Sequence, residues 1–169
     1  VPSAGVSAVT VVPTHRRRGL LTAMMRRQLA DVRERGEPLA MLWSSEGPIY
    51  GRFGFGVSVY DSRLQALRPR ARLAAPAEPL RGDRAEAAVD AMRAIYERVR
   101  LTRAGMLDRP GAWWEQRLRD PPEERAGAQA LRVVFAGDEG YAVYAVKAGR
   151  DDDGPSGEVQ IRELMIEEV

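Results

Sequence analysis

A short valine-rich run, stopped by a proline and followed at once by a helical period, constrains this 169-residue chain more than any other feature. Residues 6–12 are apolar, β-branched and few, and read as a strand buried on both faces. Pro13 ends it. From Thr14 or His15 the pattern predicts a long helix reaching Arg35. Leu20, Leu21, Met24, Met25, Gln28, Leu29 and Val32 follow a 3.6-residue period, with Arg26, Arg27, Asp31 and Arg33 turned to water. Gly36 suits the helix end, and Pro38 bars continuation. Residues 39–43 read as a second buried strand. A polar break follows, in which Ser44 or Ser45 can cap a short helix over residues 48–53. Gly51, Gly54 and Gly56 then lead into an extended run over residues 57–67. The first unit, residues 1–67, therefore reads β-α-β-α-β.

Residues 68–84 are rich in Pro, Ala and Arg, lack any period, and read as a linker. A second unit over residues 85–169 opens with a helix over 86–101, whose Val89, Met92, Ile95, Tyr96 and Val99 share a face. Pro110 suits the start of a shorter helix carrying Trp113, Trp114 and Leu118, which Pro121 and Pro122 stop. Three strands are expected, over 131–136, 140–147 and 158–167. Gly137-Asp138-Glu139-Gly140 is a hairpin signal between the first two. The fold class expected is mixed α/β (α+β): a sheet flanked by helices.

Composition excludes several chemistries. With no cysteine, disulfides, thiolate metal sites and cysteine nucleophiles are out, and a single histidine, His15, leaves no multi-histidine metal site. No metal is expected. Lys147 is the only lysine among 26 basic residues, the rest being arginine, and the net charge is only +2. That balance argues against a general nucleic-acid binder. No apolar run is long enough to span a bilayer, so no membrane partner is expected. The chain opens on Val1 rather than methionine, so the lack of a visible signal peptide says little, and the cytoplasm is the default expectation.

The chemistry is concentrated where the first strand becomes the first helix. Backbone amides at a helix start, with the positive end of the helix dipole, make an anion site. Gly19 lets a diphosphate approach the backbone closely. Arg16, Arg17 and Arg18 add charge in a form suited to phosphate. The pattern is neither a P-loop, which needs Gly-Lys-Ser/Thr, nor the dinucleotide-binding glycine fingerprint.

Residues 13–21, Pro-Thr-His-Arg-Arg-Arg-Gly-Leu-Leu, resemble the cofactor motif of the GNAT superfamily, with Arg16-x-x-Gly19-x-Leu21 in register and Leu21 in place of the usual small residue. With Ser45-Glu46-Gly47-x-Ile49-Tyr50-Gly51-Arg52-Phe53-Gly54-Phe55-Gly56, they are similar to the enhanced intracellular survival (Eis-like) family, over residues 6–56. The second unit is similar mainly in element order. The resemblance implies an acetyl-CoA-dependent N-acetyltransferase acting on primary amines, such as aminoglycoside-like polyamines or lysine. It implies that Val9, Thr10 and Val11 pair their backbone with the pantetheine arm, that Arg17, Arg18, Gly19, Leu20, Leu21 and Thr22 hold the pyrophosphate, and that Ser45 and Glu46 line the cofactor near the thioester. It implies Tyr50 as the proton donor, a role a phenol suits because it is protonated at neutral pH. A homo-oligomer, in this family a hexamer, is implied as well.

The same resemblance places helices and strands ahead of the cofactor strand, where here only residues 1–5 stand. The first unit is therefore expected to be the C-terminal part of a GNAT domain, and the second the start of another. The family's base, its own C-terminal carboxylate, is not matched by Val169. A rival reading is a non-catalytic CoA-binding or oligomerisation module. His15 reads as a capping or packing residue, Trp113 and Trp114 as core or as the wall of a substrate pocket, and residues 151–153 as a solvated loop.

Overall fold

A computed structural model describes residues 1–60, 79–152 and 154–167. The chain divides into two compact units, Val1–Ser62 and Arg63–Val169.

In the first unit, strand β1 (Ser3–Val6) and strand β2 (Leu39–Leu42) pair in parallel, Ser3 opposite Leu39 and Val6 opposite Leu42. Parallel neighbours need a crossover, and helix α1 (Leu20–Glu34) supplies it. Met25 and Val32 are its buried residues, with Leu21, Gln28 and Leu29 half-buried beside them. Leu20 and Met24, expected on this face, stay about two-fifths exposed (39% and 41%). Gly36, at φ +72°, ends the helix: its amide donates to the Arg33 carbonyl, and the Glu37 amide to that of Val32. That crossed pair of bonds is the Schellman motif.

Four expectations need correction here. The first strand lies at Ser3–Val6, not over 6–12, and buries only alternate residues, Ala4 and Val6. Its pairing stops where Ala8 turns into the left-handed region, at φ +55°. The helix begins at Leu20 rather than at Thr14 or His15, because Arg17 (φ +60°) and Gly19 (φ +76°) are also left-handed and interrupt a helical path. Strand β2 is half-buried at best, and Trp43, expected to close a buried strand, is 79% exposed. Residues 57–60 form no strand; 61–67 lie outside the described residues, as does most of the expected linker.

In the second unit, strands β3 (Arg81–Arg84), β4 (Arg132–Ala136), β5 (Gly140–Lys147) and β8 (Glu158–Ile166) form an antiparallel sheet in the order β3-β4-β5-β8. Strand β3 comes from the tail of the expected linker. Arg-Gly-Asp-Arg has no apolar alternation to announce a strand, and it holds an edge position where none is needed. A small hairpin, β6 (Arg150–Asp151) with β7 (Gly154–Pro155), stands between β5 and β8. Helix α2 (Val89–Thr102) buries Met92, Ile95, Tyr96 and Val99, and helix α3 (Gly111–Leu118) buries Trp114. These join Val133, Phe135, Tyr141 and Val143 of the sheet in one core. Trp113 is half exposed. Alternation along β8 shifts phase at Arg162: Val143 pairs with Glu163 but Tyr144 with Ile161, so one residue bulges. The bulge leaves Val159, Ile161, Leu164 and Ile166 exposed and turns Glu163 inward.

Candidate functional site

Everything the sequence nominates follows the carboxyl ends of β1 and β2. Because the two strands are parallel, the segments that follow Val6 and Leu42 leave from the same end of the pair. In open α/β structures, ligands bind outside the carboxyl ends of the strands. From β1 comes the run through Val9, Thr10 and Val11, and then the turn into α1. From β2 come Ser45, Glu46 and Tyr50.

After Ala8, the chain does not rejoin the sheet. Val9 and Val11 are half-buried and Thr10 is exposed. Among the described residues, the backbone groups of Val9 and Thr10 and the amide of Val11 make no backbone hydrogen bond. Extended backbone with unpaired donors and acceptors suits an added strand-like partner. The Val12 carbonyl accepts from the His15 amide at 2.9 Å, and the Pro13 carbonyl from the Arg16 amide at 3.3 Å, winding Pro13–His15 into one 3₁₀ turn. His15 sits exposed in that turn, its Nδ1 2.9 Å from the Thr14 hydroxyl.

Helix α1 then starts with no side-chain cap, no acid in its first turn and glycine as its N-cap. The first amide tied into it is that of Ala23, which donates to the Gly19 carbonyl at 3.0 Å. Among the described residues, the amides of Arg17, Arg18, Gly19, Leu20, Leu21 and Thr22 have no acceptor. Most helices satisfy such donors with Ser, Thr, Asp or Asn. Here arginines surround them: Arg17 and Arg18 are exposed and unpaired among the described residues, and Arg16 bonds the Val11 carbonyl through Nε at 3.3 Å. Donors, dipole and cations all favour an anion with several oxygens. These residues fit a diphosphate.

On the other branch, the expected helix over 48–53 is two 3₁₀ turns, Gly47–Ile49 and Gly51–Phe53, joined at Tyr50. One proline and two glycines within seven residues, Pro48, Gly47 and Gly51, suit single turns better than a helix. Neither Ser44 nor Ser45 caps the first turn, whose N-cap is Glu46 without a side-chain cap bond; the Ser44 hydroxyl instead makes a local turn ahead of it, accepting from the Glu46 amide at 3.0 Å. Ser45 and Glu46 are exposed, and neither side chain is engaged among the described residues. Tyr50 is half-buried. Its ring meets Phe55 edge-on, centroids 6.0 Å apart, and its carbonyl accepts from the Phe53 amide at 2.9 Å. The ring is thus held, while its hydroxyl has no partner among the described residues.

One polar cluster escaped the sequence reading. Glu163, inside unit 2, takes both Arg109 Nη atoms at 2.9 and 2.7 Å, the Tyr141 hydroxyl at 2.6 Å and Arg117 Nε at 3.2 Å. The Arg109 guanidinium lies 3.8 Å from the Tyr96 ring centre, and Tyr96 meets Trp114 edge-on. Burial pushes the Glu163 carboxyl up, but hydrogen bonds from Arg109 and Tyr141 and the arginine charges outweigh it, holding it below the usual carboxylate range. Burial and then the Glu163 charge push the Tyr141 phenol well above its ordinary value. A buried cluster whose carboxylate is paired on both oxygens holds structure together, although the buried Trp114 indole nitrogen beside it has no partner among the described residues. No spacing signal marks it, because only the bulge at Arg162 turns Glu163 inward.

Two family models, each described as an acetyltransferase (GNAT) domain, match the chain, one over residues 1–58 and the other over 105–168. Both units are therefore of acetyltransferase type. An uncharacterized N-acetyltransferase of Streptomyces avermitilis is 41% identical over 97% of this chain and 42% of its own length. The N-acetyltransferase Eis of Mycobacterium tuberculosis is 38% identical over 86% of this chain and 38% of its own. The crystal structure of Eis1 from Mycobacterium abscessus superposes with a TM-score of 0.73 at 33% identity, covering 99% of this chain and 42% of that one. The chain belongs to the GNAT acetyltransferases and, among them, to the Eis-like family. It spans about two-fifths of the length of these relatives.

Proposed function

We infer that this chain carries the acetyl-CoA-binding part of an N-acetyltransferase that passes an acetyl group to a primary amine, on an aminoglycoside-like polyamine or a lysine. The observation that carries the reading is the uncapped, arginine-flanked start of α1 directly after a backbone stretch that has left its sheet. The first feature suits a pyrophosphate, held by Arg17, Arg18 and the amides of residues 17–22. The second suits the amide-bearing pantetheine arm, along Val9, Thr10 and Val11. Ser45 and Glu46 follow the partner strand at the same end and would line the thioester.

Acetyl-CoA supplies an activated acetyl thioester as co-substrate. Direct attack by a neutral amine forms the new C–N bond as the thioester C–S bond breaks; the nitrogen then releases a proton to solvent, and the expelled thiolate takes one up. The Tyr50 hydroxyl is the donor that the family resemblance implies, and its ring packs against Phe55. Tyr50→Ala is expected to lower turnover about 100-fold, the scale of general acid catalysis, with little change in acetyl-CoA affinity. Thiol release against a panel of amines, with calorimetry for binding, measures both. A rate like wild type removes Tyr50 from the mechanism. Binding without thiol release for any amine points instead to a CoA-binding module. A homo-oligomer, hexameric by resemblance, is the expected assembly; light scattering that finds a monomer rejects it.

A further inference from the structure

Arg16, Arg17 and Arg18 look interchangeable in sequence but differ in the structure. Arg17 and Arg18 have no side-chain partner among the described residues. The Arg16 guanidinium reaches back five residues to the carbonyl of Val11, at 3.3 Å. With the bonds from the His15 and Arg16 amides to Val12 and Pro13, it closes a loop over residues 11–16. One end of that loop is the extended edge, Val9, Thr10 and Val11; the other opens into the amides ahead of α1. Nothing else among the described residues ties those two ends together by a side chain.

We propose that Arg16 is a positioning residue that acts through the Val11 carbonyl, holding the edge that receives the pantetheine arm in register with the turn that receives the diphosphate. A guanidinium is suited to this because its charge strengthens the bond to a neutral carbonyl, and its fork keeps donors to spare. The alternative role for the same side chain is direct contact with phosphate. The two roles differ in which half of the ligand feels its loss. The proposal rests on the acetyl-CoA reading above.

The experiment compares acetyl-CoA with S-acetylpantetheine, which has no phosphate, in the complete protein and its Arg16→Ala and Arg16→Gln variants. Calorimetry measures the first ligand and NMR titration the weaker second. The expected result is that Arg16→Ala weakens both ligands by the same factor, about fivefold for one partly exposed charge-assisted hydrogen bond. Arg16→Gln, which keeps an N–H donor without the charge, is expected to restore most of the affinity for both. A thermal melt unchanged within error in Arg16→Gln keeps that comparison valid if Arg16→Ala folds poorly. Loss confined to acetyl-CoA, with no rescue by glutamine, makes Arg16 a phosphate ligand and overturns the proposal. So does an Arg16→Ala variant that binds both ligands like wild type, or a wild type that binds acetyl-CoA but not S-acetylpantetheine. A wild type that binds neither ligand defeats the acetyl-CoA reading itself, and the proposal with it.

Discussion

Carboxylates seldom enter a core unless arginine goes with them, and Glu163 has Arg109 on both oxygens and Arg117 on one. Its side chain is 4% exposed and that of Arg109 14%, so solvent screens the pair little. Removing one partner of such a pair leaves the other charge buried and unpaired. Glu163→Gln is therefore expected to destabilise the second unit by about 3 kcal/mol in urea denaturation. The pH dependence has a definite sign. The folded carboxyl titrates below its ordinary value of 4.5, so its contribution is complete above that value. It is lost as the pH falls through the lower, folded value. The gap in stability between wild type and Glu163→Gln should hold at neutral pH and narrow on acidification below pH 4.5. A gap independent of pH would mean that Glu163 is not the titrating group.

At the scale of elements, the ends of α1 divide what the sequence made legible from what it did not. The C-terminal end was readable: Gly36 and Pro38 are local punctuation, and Gly36 takes φ +72° with the crossed bonds of a Schellman cap. An added Cβ there meets nothing within 4 Å, so Gly36→Ala should cost only its left-handed backbone strain, about 1 kcal/mol, read as a lower melting temperature of the first unit. No change would mean that another residue sets the helix end. The N-terminal end was misread because nothing in Pro-Thr-His-Arg-Arg-Arg forbids helix. The turn there depends on Arg17 adopting φ +60°, which composition does not announce. The motif itself was visible, since Gly19 and the arginines are named by residue type, but the backbone path that presents the amides was not. For the same reason, the four apolar positions Val9, Val11, Val12 and Trp43 read as buried strand, although Val12 is 57% and Trp43 79% exposed. Periodicity reports which residues are apolar; it cannot report that a strand leaves its sheet at Ala8. The second unit was easier, since the buried face of α2 and the span of β5 follow from period alone.

Across the molecule, apolar burial is unequal. The second unit packs Met92, Val99, Trp114, Val133, Phe135 and Tyr141 at 2% exposure or less, on a four-stranded sheet. Among the described residues, the first unit buries four apolar side chains, Ala4, Val6, Met25 and Val32, on two strands of four residues each. Burial on this scale sets how often a region opens, and amide exchange measures the opening. Amides of β4, β5 and α2 are therefore expected to exchange on the order of 100-fold more slowly than those of α1 and β2. Acetyl-CoA should act on one unit alone. A ligand at 100 times its dissociation constant stabilises the state it binds by about 2.7 kcal/mol, which also amounts to about 100-fold in exchange. If the diphosphate lies on the amides before α1, exchange should slow across residues 17–25 and along β1 and β2, while β4 and β5 keep their rates. Slowing confined to the second unit would place the ligand there instead, and equal protection of both units without ligand would show that buried apolar area does not govern local opening in this chain.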